Sequence, residues 1–141
     1  MDEAVKKLNT VGLVVIENRR LLLAFSKRKQ AFYLPGGKIE EVEDAVTALI
    51  REIKEELSIP ILPHELQWYC HISAPAYGEQ PPVMMEQECF SYALRATPVA
   101  DAEIASIRYF SYGEFRQEAI QVPGVELLFQ KLVADDKVDA L

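Results

Sequence analysis

Residues 36–59 read GGKIEEVEDAVTALIREIKEELSI, a glycine pair followed by a stretch whose apolar residues return every three or four positions. At about 100° per residue, Val46, Leu49, Ile50, Ile53 and Leu57 share one narrow face, so the spacing predicts a helix packed on a core. Ala45 and Ala48 lie on the same side one turn earlier and leave room above a sheet. Glu52 and Glu56 stand one turn apart and Glu55 follows Glu52 by three, so all three carboxylates project into adjoining sectors. Each like-charged pair costs roughly 0.2–0.5 kcal/mol on a helix, and a helix C-terminus adds an unfavourable dipole. A divalent cation is the simplest compensation.

Hard cations such as Mg2+ take oxygen ligands and bind through a few carboxylates, waters and substrate phosphates. The stretch lacks the alternating Asp/Asn loop of an EF-hand, and no His or Cys lies nearby in sequence to suggest zinc. A solvated acidic face is the plainer reading of an arbitrary Glu-rich helix; the full spacing decides against it. Gly37 is followed after five residues by Glu43, and after seven more by Arg51, Glu52, Ile53, Lys54, Glu55, Glu56, Leu57, Ser58 and Ile59. This resembles the Nudix box of MutT-like hydrolases, in which glycine, glutamate, Arg-Glu, Glu-Glu and a final glycine recur at those intervals. The one departure is Ser58, where the family has glycine. A serine that ends the helix in the left-handed conformation costs on the order of 1 kcal/mol, and Pro60 stops the helix from continuing.

The resemblance implies a Nudix-type α/β/α sandwich with a mixed central β-sheet, and a Mg2+-dependent hydrolase, with Mn2+ as substitute. Its substrate class would be a nucleoside diphosphate linked to another group, first a nucleoside triphosphate, oxidised or not. By the same resemblance the Gly37 carbonyl, Glu52, Glu55 and Glu56 form the metal shell, and Glu43 lies near the metal-water network. Arg51 would hold the acidic side chains through charge-assisted hydrogen bonds. The proton acceptor falls to Glu52 or to a carboxylate outside the box, Glu103, Glu86 or Glu88. The alternative is a Nudix-like module that binds a nucleotide or nucleotide sugar without hydrolysing it. The acidic cluster is also expected to raise its own carboxylate pKa values when no cation is bound.

Outward from the box, the 141 residues suit one domain with a sizeable core, half of them being hydrophobic. A formal net charge of −7 argues against nucleic acid polymers and anionic membranes, which call for a basic surface. A small nucleotide held through metal remains compatible. No segment approaches the roughly 20 apolar residues that span a bilayer, and a signal-peptide core is absent, so a cytoplasmic location is expected. Cys70 and Cys89 are expected to stay reduced and buried.

Leu8–Ile16 reads as a buried strand, with Asn18-Arg19-Arg20 turning into a second strand, LLLAFSK. Lys27, Arg28 and Lys29 form the next connection, either a solvated loop or a set of donors to substrate phosphate. FYLPGGKIE then crosses to the box, and the backbone at Gly36, Gly37 and Lys38 is placed to meet a ligand. Residues 66–72 and 83–94 read as strands joined by a Pro/Gly-rich loop over 73–82, which stands as a candidate dimer contact. On the second of these strands Glu86 and Glu88 alternate onto one face with Phe90, Tyr92 and Leu94; an edge strand facing water and a position beside the metal explain them equally well. Residues 107–110 are the expected last strand. Val125, Leu127, Leu128, Leu132 and Val133 mark the core face of a C-terminal helix that opens at Pro123.

Overall fold

The computed structural model describes residues 6–79 and 81–141. The first strand, β1 (Lys7–Val14), stops one residue before β2 (Ile16–Glu17). The stretch expected to be one strand therefore breaks at Val15, and its two parts join different sheets. Asn18 and Arg19 both have positive φ, 50° and 61°, which gives the two-residue turn whose twist suits a hairpin. It leads into β3 (Arg20–Ser26), paired antiparallel with β2 and with β4 (Ala31–Tyr33).

After β5 (Gly36–Lys38) the chain enters α1 (Ala45–Leu57). The Asp44 carboxylate caps this helix by accepting from the Thr47 amide at 2.8 Å. Ser58 ends it with φ 57°, in the left-handed conformation expected from the sequence, and its N–H donates to the Lys54 carbonyl at 3.2 Å. The remaining elements are β6 (Gln67–Pro75), β7 (Met84–Ser91), β8 (Ile104–Phe110), a short α2 (Tyr112–Phe115) and α3 (Pro123–Ala134). β6 thus runs three residues into the expected 73–82 loop, within which Gln80 lies outside the described residues.

The α/β class and the mixed sheet hold, with the strands divided over two four-stranded sheets. One has the order β5-β1-β7-β6, with β1 and β7 parallel and the other pairs antiparallel. The other is antiparallel, β8 lying on β3 beside β2 and β4. Helix α1 covers one side through Leu49, Ile53 and Leu57 against Val11, Leu13, Val15 and Leu22. Helix α3 covers the other through Val125, Leu128, Phe129 and Leu132 against Cys70, Ile72 and Phe110.

The α1 face is the expected one, with Ala48 buried among Leu49, Ile53 and Leu57 and only Val46 falling to its margin, whereas the α3 face is rotated: Phe129 is buried and Leu127 is exposed. Helix α3 uses the i, i+3, i+4, i+7 stripe from Val125. Fully burying one Leu or Ile is worth about 1.5–3 kcal/mol. Leu49, Ile53 and Leu57 therefore outweigh the repulsion among the glutamates that share their helix.

Candidate active site

The site begins where β5 lies against β1, with Gly36 opposite Gly12 and Gly37 opposite Val11. Gly36 has φ 144°, and a Cβ there would fall 2.0 Å from the Val11 carbonyl oxygen. At Gly37 a Cβ would fall 2.4 Å from Cδ of Glu52. The glycine pair thus does two things: it lets the strand lie close, and it lets a carboxylate from α1 rest on bare backbone.

Glu56, one turn further along α1, accepts from the Gly36 amide at 3.0 Å. Burial is the main cause that pushes its carboxyl up to about 8, with Glu52 and Glu55 adding to it and the Gly36 hydrogen bond opposing. Glu52 is also raised, again chiefly by burial, against the pull of Arg51. The direction agrees with the sequence expectation. The leading cause is desolvation, with repulsion between the glutamates secondary.

Arg51 ties the group together. Its Nε and Nη2 donate to the two carboxylate oxygens of Glu43, each at 2.8 Å, and Nη1 donates to Glu52 at 2.9 Å. A further bond from Nη2 reaches the Lys38 carbonyl at 3.2 Å. Paired with Arg51, and accepting from the Glu40 amide, Glu43 is held down at about 2. Glu43 lies just before the helix and acts there as the anchor of Arg51.

The C-terminal carbonyls of α1 are satisfied from outside the helix: Leu57 accepts from Val99 N–H and Glu56 from Asp101 N–H. That contact brings Glu103 in. Its carboxylate accepts from the Arg28 amide and from Ser26 Oγ, while its carbonyl accepts from the Lys27 amide at 2.9 Å.

Between these groups and the second sheet opens a cavity of about 200 Å³. Gly36, Gly37, Lys38, Glu56, Arg28 and Glu103 stand on its wall. Among the described residues no three His, Cys, Asp or Glu side chains already form a metal cage. Glu52 and Glu56 against the Gly36–Gly37 backbone instead offer an open, all-oxygen donor set, which fits a hard cation completed by water and phosphate. Glu55 is more exposed, 3.8 Å from Arg51.

A family model for the NUDIX domain matches residues 6–130. The chain belongs to the Nudix family. Solved Nudix structures share its fold. The MutT Nudix hydrolase from Burkholderia pseudomallei is 17% identical with a TM-score of 0.71, the match covering 91% of this chain and 98% of that one. The MutT protein from Methanosarcina mazei Go1 is 15% identical with a TM-score of 0.76, covering 96% and 99%. The C. elegans Ap4A hydrolase is 19% identical with a TM-score of 0.70, covering 91% and 96%. No curated relative matches the sequence.

Three expected substrate contacts of this Nudix chain lie away from the cavity. Lys27 turns outward and its Nζ donates to the Ala102 carbonyl at 3.0 Å. Glu86 and Glu88 sit on the opposite face of β7, in register with Asn9 and Val11, where both bond His71. Ser73 Oγ donates to Glu86 at 2.7 Å and Trp68 Nε1 to Glu88 at 2.7 Å. Charge drew attention to these glutamates, but period-two alternation sends the residue between them, Gln87, into the cavity instead. Thr10, Tyr33, Tyr77 and Met85 join Gln87 there. Lys29 is the half-buried cation of its loop, donating to the Tyr77 carbonyl at 2.7 Å and to Glu79 at 3.2 Å.

Proposed function

We propose that this chain works as one Nudix domain that hydrolyses the pyrophosphate linkage of a nucleoside diphosphate derivative, with a nucleoside triphosphate, plain or oxidised, as the first candidate. The observation that carries the reading is the seating of Glu52 and Glu56 against the Gly36–Gly37 backbone beside a cavity. Two structures of the same fold are named for hydrolysis of phosphoric anhydrides, the C. elegans Ap4A hydrolase and an E. coli dihydroneopterin triphosphate pyrophosphohydrolase. Free, buried Cys70 and Cys89 suit a cytoplasmic setting, and no helix among the described residues is long and apolar enough to cross a membrane.

Glu52, Glu55, Glu56 and the Gly37 carbonyl would hold Mg2+, or Mn2+ in its place. Such a cation neutralises a diphosphate and lowers the pKa of water, the chemistry that hydrolysis of this linkage needs. Arg51, fixed by Glu43, keeps the Glu52 carboxylate in position. Lys38 and Arg28 on the cavity wall are placed to donate to phosphate oxygens. Glu103, held on the cavity wall by Ser26 and the Arg28 amide, is the carboxylate outside the box that we assign to accept a proton.

The test is release of phosphate and pyrophosphate from nucleoside triphosphates, nucleotide sugars and dinucleotides with Mg2+, beside Glu55→Gln and Glu56→Gln. Turnover of one class, lost in both variants, is the expected result. Tight binding with no turnover across the panel would instead identify a nucleotide-binding module.

A further inference from the structure

Gln87 is a polar side chain on the cavity wall, contributed with Thr10 by the two inner strands of the mixed sheet. Its Cα pairs with Thr10 on one side and Ile72 on the other, so backbone bonds to two strands fix where the side chain starts. A Cβ at Gly12 would fall 3.1 Å from Gln87 Nε2 and 2.4 Å from Leu34 Cδ2. The bare backbone at Gly12 leaves the space in which the amide lies. The surroundings are apolar, with Leu8, Leu34 and Met85 lining the same stretch of wall.

The amide is poorly used by the protein. Oε1 has the Cys89 thiol at 3.8 Å, a weak donor, and Nε2 donates to no group among the described residues. It is not sealed in either, since Glu126 Oε2 is the one buried, unpartnered side-chain polar atom among them. A primary amide that opens from an apolar wall offers one acceptor and two donors side by side. Other polar groups nearby are committed, the Thr10 hydroxyl to the Glu86 carbonyl at 3.4 Å and the Tyr33 hydroxyl to the Tyr77 carbonyl at 3.2 Å.

We propose that Gln87 sets base specificity, pairing edge-on with a heterocyclic base that carries a donor and an acceptor on neighbouring atoms while the diphosphate lies at the glycine pair. The inference rests on the reading of the cavity as a nucleotide site. Every common base carries such an edge, so the ranking comes from the fixed position of the amide: a base whose edge falls out of register with it in this apolar stretch of wall leaves a desolvated polar group unpaired. Bidentate reading of this kind separates bases by about 10- to 100-fold.

Titration of the protein with adenosine, cytidine, guanosine and uridine reads the cavity without any hydrolysis. The parent is expected to rank the nucleosides, and Gln87→Met, nearly the same volume without the amide, to lose that ranking by tenfold or more. Melting temperature monitors folding of the variant, and Gln87→Glu, which exchanges a donor pair for an acceptor, should reorder the nucleosides if Met proves disruptive. An unchanged ranking in both variants, or no nucleoside bound by the parent, overturns the assignment. Turnover of the triphosphate panel is scored separately, so loss of the hydrolase reading and loss of the Gln87 reading give different patterns.

Discussion

Glu56 on α1 and Glu88 on β7 are the same side chain, each half-buried, and the fold surrounds them in opposite ways. Glu88 meets the His71 ring and the Trp68 indole, and its carboxyl is held below the usual range mainly by the histidine. Glu56 has one backbone amide and, among the described residues, no cationic side chain as partner, and burial drives its carboxyl up. A satisfied carboxylate contributes to the fold as it stands. An unsatisfied one, set on bare glycine backbone beside a cavity, is arranged for something that arrives later.

The largest effect should separate the two directly. Glu56→Gln is expected to lower Mg2+-dependent turnover by about 100-fold or more, because a ligand to the cation is lost. Glu88→Gln should change turnover less than about twofold, its contacts lying on the other face of the strand. Equal losses in steady-state assays would erase the distinction.

Gly37→Ala tests whether the bare backbone matters. The added methyl meets the Glu52 carboxylate, so the side chain must move off its seat; turnover should fall about tenfold or more, with a stability loss of about 1–3 kcal/mol from overpacking.

The pH dependence comes next. Glu56 binds its proton more tightly folded than unfolded, so the metal-free fold loses stability as pH rises from about 4.5 through about 8. The shift corresponds to a few kcal/mol at about 1.4 kcal/mol per pKa unit. His71, raised by Glu88 and Glu86, also contributes most in acid and loses its contribution as pH rises through its folded pKa. Glu88 behaves oppositely, contributing above the ordinary carboxylate range and losing that only in acid. Melting temperatures from pH 5 to 9 in chelator should therefore fall, and Glu56→Gln should flatten the fall by the share that belongs to that residue.

The smallest effect concerns the helix end behind Glu56. Ser58 holds a left-handed backbone that glycine adopts freely, and its 3.5 Å contact with Asp101 is weak. Ser58→Gly should raise the melting temperature by about 2–4 °C and leave turnover alone.

The box helix was legible in the sequence because two local patterns coincide there, an apolar stripe and a charge spacing. What stayed illegible was long-range. That Val15 parts one apparent strand into two sheets depends on partners far along the chain, and nothing in LNTVGLVVI marks the break. Alternation placed Glu86 and Glu88 together and Gln87 opposite them, yet alternation does not say which face meets the cavity. Charge pointed to the glutamates, while the neutral amide gave no signal.

The parallel pairing of β1 with β7 has a kinetic consequence. Lys7 lies opposite Met84, so the strand that carries Gln87 cannot be seated until most of the chain has been closed into a loop. Such non-local contacts slow folding. The box and its helix are local and can organise early, as can the consecutive antiparallel strands β6 and β7, whereas the cavity wall is completed only when that pair docks on β1. Trp68, the chain's single tryptophan, sits on β6 across from Phe90 of β7, where its fluorescence reports formation of that local pair and so times the step before closure onto β1.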